Sequence, residues 1–102
     1  MINNSKTKHT LRKRNNVSSE ISAIKEHLKK EDYEIALDLL DKFIENNKIN
    51  PEAYYLRHFC HLNLDNHDDY IKDLQQACKL YQYENDTHMY QQCIKELEEW
   101  FK

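Results

Sequence analysis

The chain has 102 residues, a length that suits one domain, because an independent hydrophobic core usually needs about 100 residues. Its composition is 39% hydrophobic and 32% charged, with one proline and no glycine. A chain without glycine has to form its positive-φ turns from Asn or Asp, which argues against a strand-rich fold and favours an all-α protein. No stretch approaches the roughly 18 apolar residues of a membrane span, and no signal peptide is predicted.

Residue types that carry common catalytic chemistry do not form recognisable motifs in this chain. The absence of glycine excludes a glycine-rich phosphate-binding loop, and the sequence contains no HExxH metalloprotease motif. Three cysteines, an odd number, predict reduced thiols in a cytoplasmic protein and not a disulfide framework. We therefore expect a non-enzymatic protein without a cofactor.

Charge is distributed unevenly along the chain, although the net charge is only −3. Residues 1–16, the basic arm, have a net charge of +5 and no acidic residue; the charges are Lys6, Lys8, Arg12, Lys13 and Arg14. The other 86 residues hold 10 basic and 18 acidic side chains, a net charge of −8. Because the arm has too few apolar residues to offset the entropy of ordering, it is predicted to be a flexible tail before a helical domain at 17–102.

Start signals and apolar spacing predict two helices in the first half of this domain. The first begins at Ser18 or Ser19, whose hydroxyl can cap the first turn. The second begins after Asp32 as the N-cap residue and ends near Asn46. The apolar face of the second helix is broad enough to contact two neighbours, and it comprises Tyr33, Ala36, Leu37, Leu40, Phe43 and Ile44.

Two further helices follow with the same short connections. Asn50 followed by Pro51 is a strong start signal, because the missing proline amide costs nothing at the first helical position. This third helix should end near Leu64, and the fourth should run from Asn66 to about Gln82. Connections of a few residues predict that consecutive helices pack as antiparallel hairpins.

One pattern occurs twice, at a fixed offset along the chain. The run 32–44 aligns with the run 66–78, so that Leu40 corresponds to Leu74. A period of about 34 residues with two helices per unit resembles the tetratricopeptide repeat. The resemblance covers residues 17–84, as repeats at about 17–50 and 51–84. The chain departs from the family pattern at Ile24 and His58, where a small residue is usual.

The resemblance to tetratricopeptide repeats implies both a fold and a function. The fold is a short right-handed α-solenoid of about five helices, closed by a capping helix at about 86–101. In the family the first helix of each repeat lines a concave groove that binds a peptide or helix of a partner protein, which implies an adaptor. The groove positions in this chain are Ile21, Lys25, Leu28, Glu52, Tyr55, Leu56, Phe59, Leu62 and Asn63.

Within this set, Tyr55, Phe59 and Leu62 form an apolar stripe, and aromatic residues often carry binding energy. The same spacing also fits a stripe that is buried in the core. In that alternative, the neighbouring polar side chains of the third helix, Arg57, His58 and His61, point to water. Periodicity alone leaves both alternatives open.

The fifth predicted helix offers a second surface for protein binding. Asn85 or Asp86 caps it, and its apolar and polar side chains separate clearly onto opposite faces. A homodimer that uses this face, or the groove, is the alternative function. The face consists of Met89, Cys93, Leu97, Trp100 and Phe101.

The sequence gives weaker support to metal binding and to nucleic-acid binding. His58 and His61 share a helix face with Cys60 and His67 nearby, but no second pair has metal-ligand spacing, so no metal site is predicted. The basic arm could contact phosphates, yet the −8 charge of the remaining residues would repel a nucleic acid. Another protein is the expected partner.

Overall fold

The computed structural model describes residues 17–102, and in this range the chain forms helices and turns with no strand. The prediction of an all-α fold is therefore confirmed. None of the helices in this range is long and apolar enough to cross a membrane. The predicted flexible arm lies outside the described residues. The five helices are α1 over residues 17–29, α2 over Tyr33–Asn46, α3 over Pro51–Asn63, α4 over His67–Tyr83 and α5 over Thr87–Trp100.

The helix starts follow the predicted signals with one exception. The side chain of Asn50 accepts a hydrogen bond from the Ala53 amide over 3.1 Å, which caps α3 as expected. Asp86 caps α5 in the same way, with 3.1 Å between its Oδ1 and the Met89 amide. Ser18 already lies inside α1, as does the residue after it, so the predicted cap at these serines is wrong. The helical backbone extends further toward the basic arm than hydroxyl capping implied.

Three connections share one geometry, in which a single residue has positive φ. Glu31, Asp65 and Asn85 have φ of 62°, 61° and 61°. The amide of the residue after each of them donates a hydrogen bond to the carbonyl five residues earlier. For example, the Asn66 amide donates to the His61 carbonyl over 2.8 Å. This pattern satisfies carbonyls that the end of a helix would leave unpaired. The prediction that Asn or Asp takes such positions is right at two turns and wrong at Glu31.

The sequence repeat is matched by this turn geometry in α1–α4, but the period does not continue to α5. Glu31 and Asp65 are one repeat period apart, and the equivalent positions Ile24 and His58 are both 2% exposed. The next interval differs, because α4 has 17 residues where α2 has 14. The starts of α3 and α5, at Pro51 and Thr87, are further apart in sequence than the starts of α2 and α4, at Tyr33 and His67. The fifth helix is displaced from the position of a third repeat.

Two hydrophobic clusters lie on either side of α3. The first joins α1, α2 and α3, and its buried members are Ile21, Ile24, Ala36, Leu40, Phe43, Ile44, Ala53, Leu56 and Cys60. The second joins α4 and α5, and its buried members are Tyr70, Leu74, Ala77, Cys78, Tyr81 and Cys93. Tyr54 of α3 packs against both clusters. The helices thus stack in chain order, with α3 in the middle.

A charged network connects three of the helices beside these clusters. Arg57 of α3 donates to both carboxylate oxygens of Asp73 on α4, over 2.7 and 2.8 Å. Its remaining terminal nitrogen donates to Asp41 of α2 over 2.9 Å. The side chain of Arg57 is 21% exposed and that of Asp73 is 7% exposed. The alternative that turned Arg57 to water is therefore wrong, and the inward position of Asp73 was not foreseen.

We expect Arg57→Met to lower the free energy of unfolding by about 3 kcal/mol, because it leaves the Asp73 carboxylate buried without its partner. Asp41→Asn should cost less than about 1 kcal/mol, since the side chain of Asp41 is 55% exposed. The double variant Arg57→Met/Asp73→Leu should recover most of the loss, because it removes both charges. Urea unfolding followed by circular dichroism measures all three; equal costs for Arg57→Met and Asp41→Asn would contradict the expected importance of the buried pair.

Candidate functional site

The first candidate surface is a cavity of about 420 Å³ between α1 and α3, here named the α1–α3 groove. Its lining is Lys25, Leu28, Lys29, Tyr33, Leu56, Phe59 and Asn63. The apolar side chains form the floor, while the two lysines lie one helical turn apart on α1. Within residues 17–102, no acidic side chain lines the groove. An occupant would meet an apolar floor and a positively charged rim.

The groove brings together five of the nine residues predicted from the sequence, and these are Lys25, Leu28, Leu56, Phe59 and Asn63. Ile21 is 7% exposed and belongs to the first hydrophobic cluster, so it is not available to a partner. Leu62 is 39% exposed and lines neither of the two cavities beside α3. Glu52 and Tyr55 line a second cavity. The predicted residues are thus divided between two surfaces.

The second cavity, here named the acidic groove, has a volume of about 780 Å³ and lies where the α2–α3 connection approaches α4 and α5. Tyr55, Leu56, Tyr81 and Met89 form its apolar part. Its charged residues are Glu52, Glu84, Asp86 and Lys48, and the rest of the lining is Asn46, Asn47, Ile49, Asn50 and Pro51. Acidic residues outnumber basic ones at this surface, which is the reverse of the α1–α3 groove.

An ion pair marks the boundary between the two grooves. Lys25 Nζ and Glu52 Oε2 are 2.6 Å apart, which links α1 to the first turn of α3. Lys25 lines one groove and Glu52 the other, while Leu56 lines both. Both charged side chains are close to half exposed, so the pair contributes little to stability and can exchange partners. The grooves form adjacent compartments of opposite charge.

Behind the acidic groove, a polar cluster joins α3 to α5. The Tyr55 hydroxyl donates a hydrogen bond to Glu96 Oε1 over 2.7 Å. The side-chain amide of Gln92 donates to the same oxygen over 3.1 Å. His58, which is 2% exposed, has its Nε2 atom 3.6 Å from Glu96 Oε2. The cluster therefore fixes the half-buried ring of Tyr55 at the groove wall.

The hydrogen bonds of His58 determine its tautomer. Its Nδ1 bonds to the carbonyl of Tyr55, and because a carbonyl only accepts, Nδ1 carries the proton. The Nε2 atom of the neutral ring then has no hydrogen to donate, and Glu96 Oε2 has no hydrogen-bond partner within residues 17–102. Burial lowers the pKa of His58, although the Tyr55 carbonyl and the charges of Glu96 and Asp73 oppose this effect. The buried imidazole is neutral at pH 7.

The other candidate metal ligands are held in separate environments. His61 Nε2 is 3.5 Å from Asp73 Oδ2, and His67 stacks on Trp100 with ring centroids 5.4 Å apart. Residues 17–102 contain no group of three side chains that could hold a metal ion. His61 is 9% exposed and His58 is 2% exposed, so the alternative in which both histidines point to water is wrong. Burial also raises the pKa of Cys60 to about 11, which keeps this thiol protonated at neutral pH.

The predicted binding face of α5 is largely used inside the molecule. Cys93 is fully buried, and Met89 and Leu97 pack against the second hydrophobic cluster. Trp100 and Phe101 are 40% and 68% exposed, so these two carry what remains of the face. The part of this side that packs against α4 is not available to a second chain.

Sequence reasoning missed Asp73 and Glu96, the two acids that organise the polar contacts of α3. Asp73 follows Tyr70 by three residues and precedes Ala77 by four, which places it on the inward face of α4. Glu96 likewise follows Cys93 by three residues and precedes Trp100 by four on α5. An acid at such a position needs a buried partner, so this spacing is the signal that could have identified both.

We expect the protein to lose stability as the pH falls from 7.5 to 5.5. Unfolding raises the pKa of His58 toward its ordinary value of about 6.5, so the unfolded chain takes up a proton first, and stability is fully present only above that value. His58→Gln should reduce this pH dependence, because it removes the buried group whose pKa is lowered. His88→Gln, at an exposed position on α5, is the control variant.

Urea unfolding at the two pH values checks this expectation. A wild-type chain that becomes more stable on acidification would contradict it, because His58 would then gain its proton in the folded state and pair with Glu96 as a cation.

Comparisons of the chain with protein-family models, with curated proteins and with solved structures found no match. The resemblance to tetratricopeptide repeats therefore stays a prediction. The two grooves, their opposite charges and the helix packing that forms them are the features that bear on function.

Proposed function

We propose that this chain is a non-catalytic, cytoplasmic adaptor of the tetratricopeptide-repeat kind, which binds a peptide or helical segment of another protein in the α1–α3 groove. The observation that carries this proposal is an apolar floor with two exposed lysines at its rim and no acid among the described residues that line it. An uncovered apolar surface beside positive charge favours a partner of matching chemistry.

The repeat interpretation is supported by more than the sequence period. The positive-φ residues Glu31 and Asp65 are one period apart, and the backbone bonds that follow them are the same. Ile24 and His58 fill equivalent buried positions on α1 and α3. Stacking into a right-handed solenoid, with α5 as its cap, forms part of the proposal. The interval between the starts of α3 and α5 is longer than one repeat period, which favours α5 as a capping helix and not as the first helix of a third repeat.

The groove chemistry defines the kind of segment that fits. Leu28 and Phe59, which are only partly buried, offer apolar contact to one or two large side chains, while Leu56 is 8% exposed and belongs to the core. Lys29 is 74% exposed and pairs with Glu26 over 3.3 Å, a surface contact of little energy that an acidic partner can replace. We infer a segment with an apolar anchor next to an Asp, a Glu or a terminal carboxylate.

We expect Lys29→Glu to weaken partner binding by about tenfold, because it replaces an attractive charge at the rim by a repulsive one. Lys42→Glu is the matched control, since Lys42 is 69% exposed and also pairs with one acid of its own helix, Asp38. Both changes leave the core intact, whereas Phe59 packs on His58 with ring centroids 4.2 Å apart and is a poor probe of binding. Quantitative affinity capture from host lysate, followed by cross-linking, measures the effect.

The proposal requires a captured protein that is depleted with Lys29→Glu and retained with Lys42→Glu. Its cross-linked segment should contain apolar residues next to a carboxylate. Equal capture by the two variants, or cross-links that avoid the α1–α3 groove, would exclude this site as the binding surface.

Self-association is the second candidate function, supported by the exposed apolar end of the helix stack. Phe101 is 68% exposed, and with Trp100, His67 and Ile71 it lines an open cavity of about 370 Å³. Sedimentation of the purified chain separates the candidates, because a monomer at all concentrations rules out the homodimer. Nucleic-acid binding through the basic arm stays a prediction, since the arm lies outside the described residues.

A further inference from the structure

The acidic groove is a surface for which the proposed function has no role. Its apolar part includes the half-buried Tyr55 and Met89, and Ile49 beside them is 74% exposed. Glu84 and Asp86 lie at its α4–α5 side, and Lys48 is the one basic residue that the described part of the chain adds to its lining. At about 780 Å³ it is larger than the α1–α3 groove. An occupant needs apolar side chains and several positive charges.

The chain itself contains a segment of this chemistry. Residues 11–14 read Leu11-Arg12-Lys13-Arg14, an apolar side chain followed directly by three positive charges. The charge of this segment is repelled by Lys25 and Lys29 at the α1–α3 groove and attracted by the acids of the acidic groove. Charge complementarity thus distinguishes between the two surfaces.

The position of α1 brings this segment to the correct end of the molecule. Val17, the first described residue of α1, packs against the first cluster, which also contains Phe43 and Ile44 near the end of α2. The acidic groove begins at Asn46, two residues beyond Ile44. Leu11 lies six residues before Val17. The chain between them spans up to roughly 20 Å when extended, which is about two helix diameters of ~10 Å.

We propose that the basic arm, residues 1–16, binds in cis to the acidic groove, with Leu11 against its apolar part and Arg12 to Arg14 facing Glu84 and Asp86. The proposal does not rest on the adaptor function, because the contact lies on the other side of the Lys25–Glu52 ion pair.

The test uses the full chain, labelled with nitrogen-15, at low ionic strength. Glu84→Lys reverses a charge of the groove, and Glu98→Lys is its matched control, because both residues are exposed and lie at C-terminal ends of helices. We expect Glu84→Lys to move the amide resonances of residues 11–16 at least twofold more than Glu98→Lys does. About 0.5 M salt should move the wild-type resonances in the same direction, since it screens the contact.

A reciprocal variant tests the arm side of the contact. Arg12→Gln/Arg14→Gln should shift the amides of Ile49, Glu84 and Met89 and leave those of Leu28 and Phe59 unchanged. Equal responses to Glu84→Lys and Glu98→Lys would overturn the proposal, since they indicate general attraction to an acidic surface. Responses that grow with protein concentration would overturn it as well, because they assign the groove to the arm of a second copy. Neither result bears on the Lys29→Glu capture experiment.

Discussion

The bidentate ion pair between Arg57 and Asp73 constrains the rotation of α3 about its own axis. Arg57 is 21% exposed and bonds both oxygens of a carboxylate that is 7% exposed, so rotation of α3 about its axis would leave a buried charge unpaired. Because α3 lies between the two hydrophobic clusters, its rotation decides which side chains enter each core and which face the grooves. The bond from Arg57 to Asp41 extends the same constraint to α2.

The consequences of this rotation appear on the face of α3 that carries Tyr55, His58 and Phe59, whose rings contact one another. His58 is turned into the space between α3, α4 and α5, where its ring packs on Tyr70 with centroids 5.3 Å apart. Tyr55 is turned toward the acidic groove, and its hydroxyl is bound by Glu96 of α5. Phe59 reaches the floor of the α1–α3 groove. One helix therefore supplies the aromatic wall of both grooves, and its polar contacts hold those walls in place.

The two adjacent grooves have opposite charges, so the surface is electrostatically asymmetric. Lys25 and Lys29 attract carboxylates on one side of the Lys25–Glu52 ion pair, while Glu52, Glu84 and Asp86 attract cations on the other. Under the proposed adaptor function, a segment that spans both grooves would be discriminated by the order of its charges as well as by its apolar anchor, since a reversed segment would meet repulsion at both ends. A basic arm on the same chain matches one side of this arrangement.

The sequence by itself determined the features that are governed by neighbouring residues. Asn50 with Pro51 located the start of α3 and Asp86 located the start of α5, because caps and helical spacing depend on local hydrogen bonds and sterics. Five of the nine expected groove residues also came together. The tertiary structure alone decided that Asp73 and His58 are buried and that Ile21 is core. Periodicity shows which residues share a face of a helix. The direction in which that face points is set by contacts with other helices, whose residues are distant in sequence.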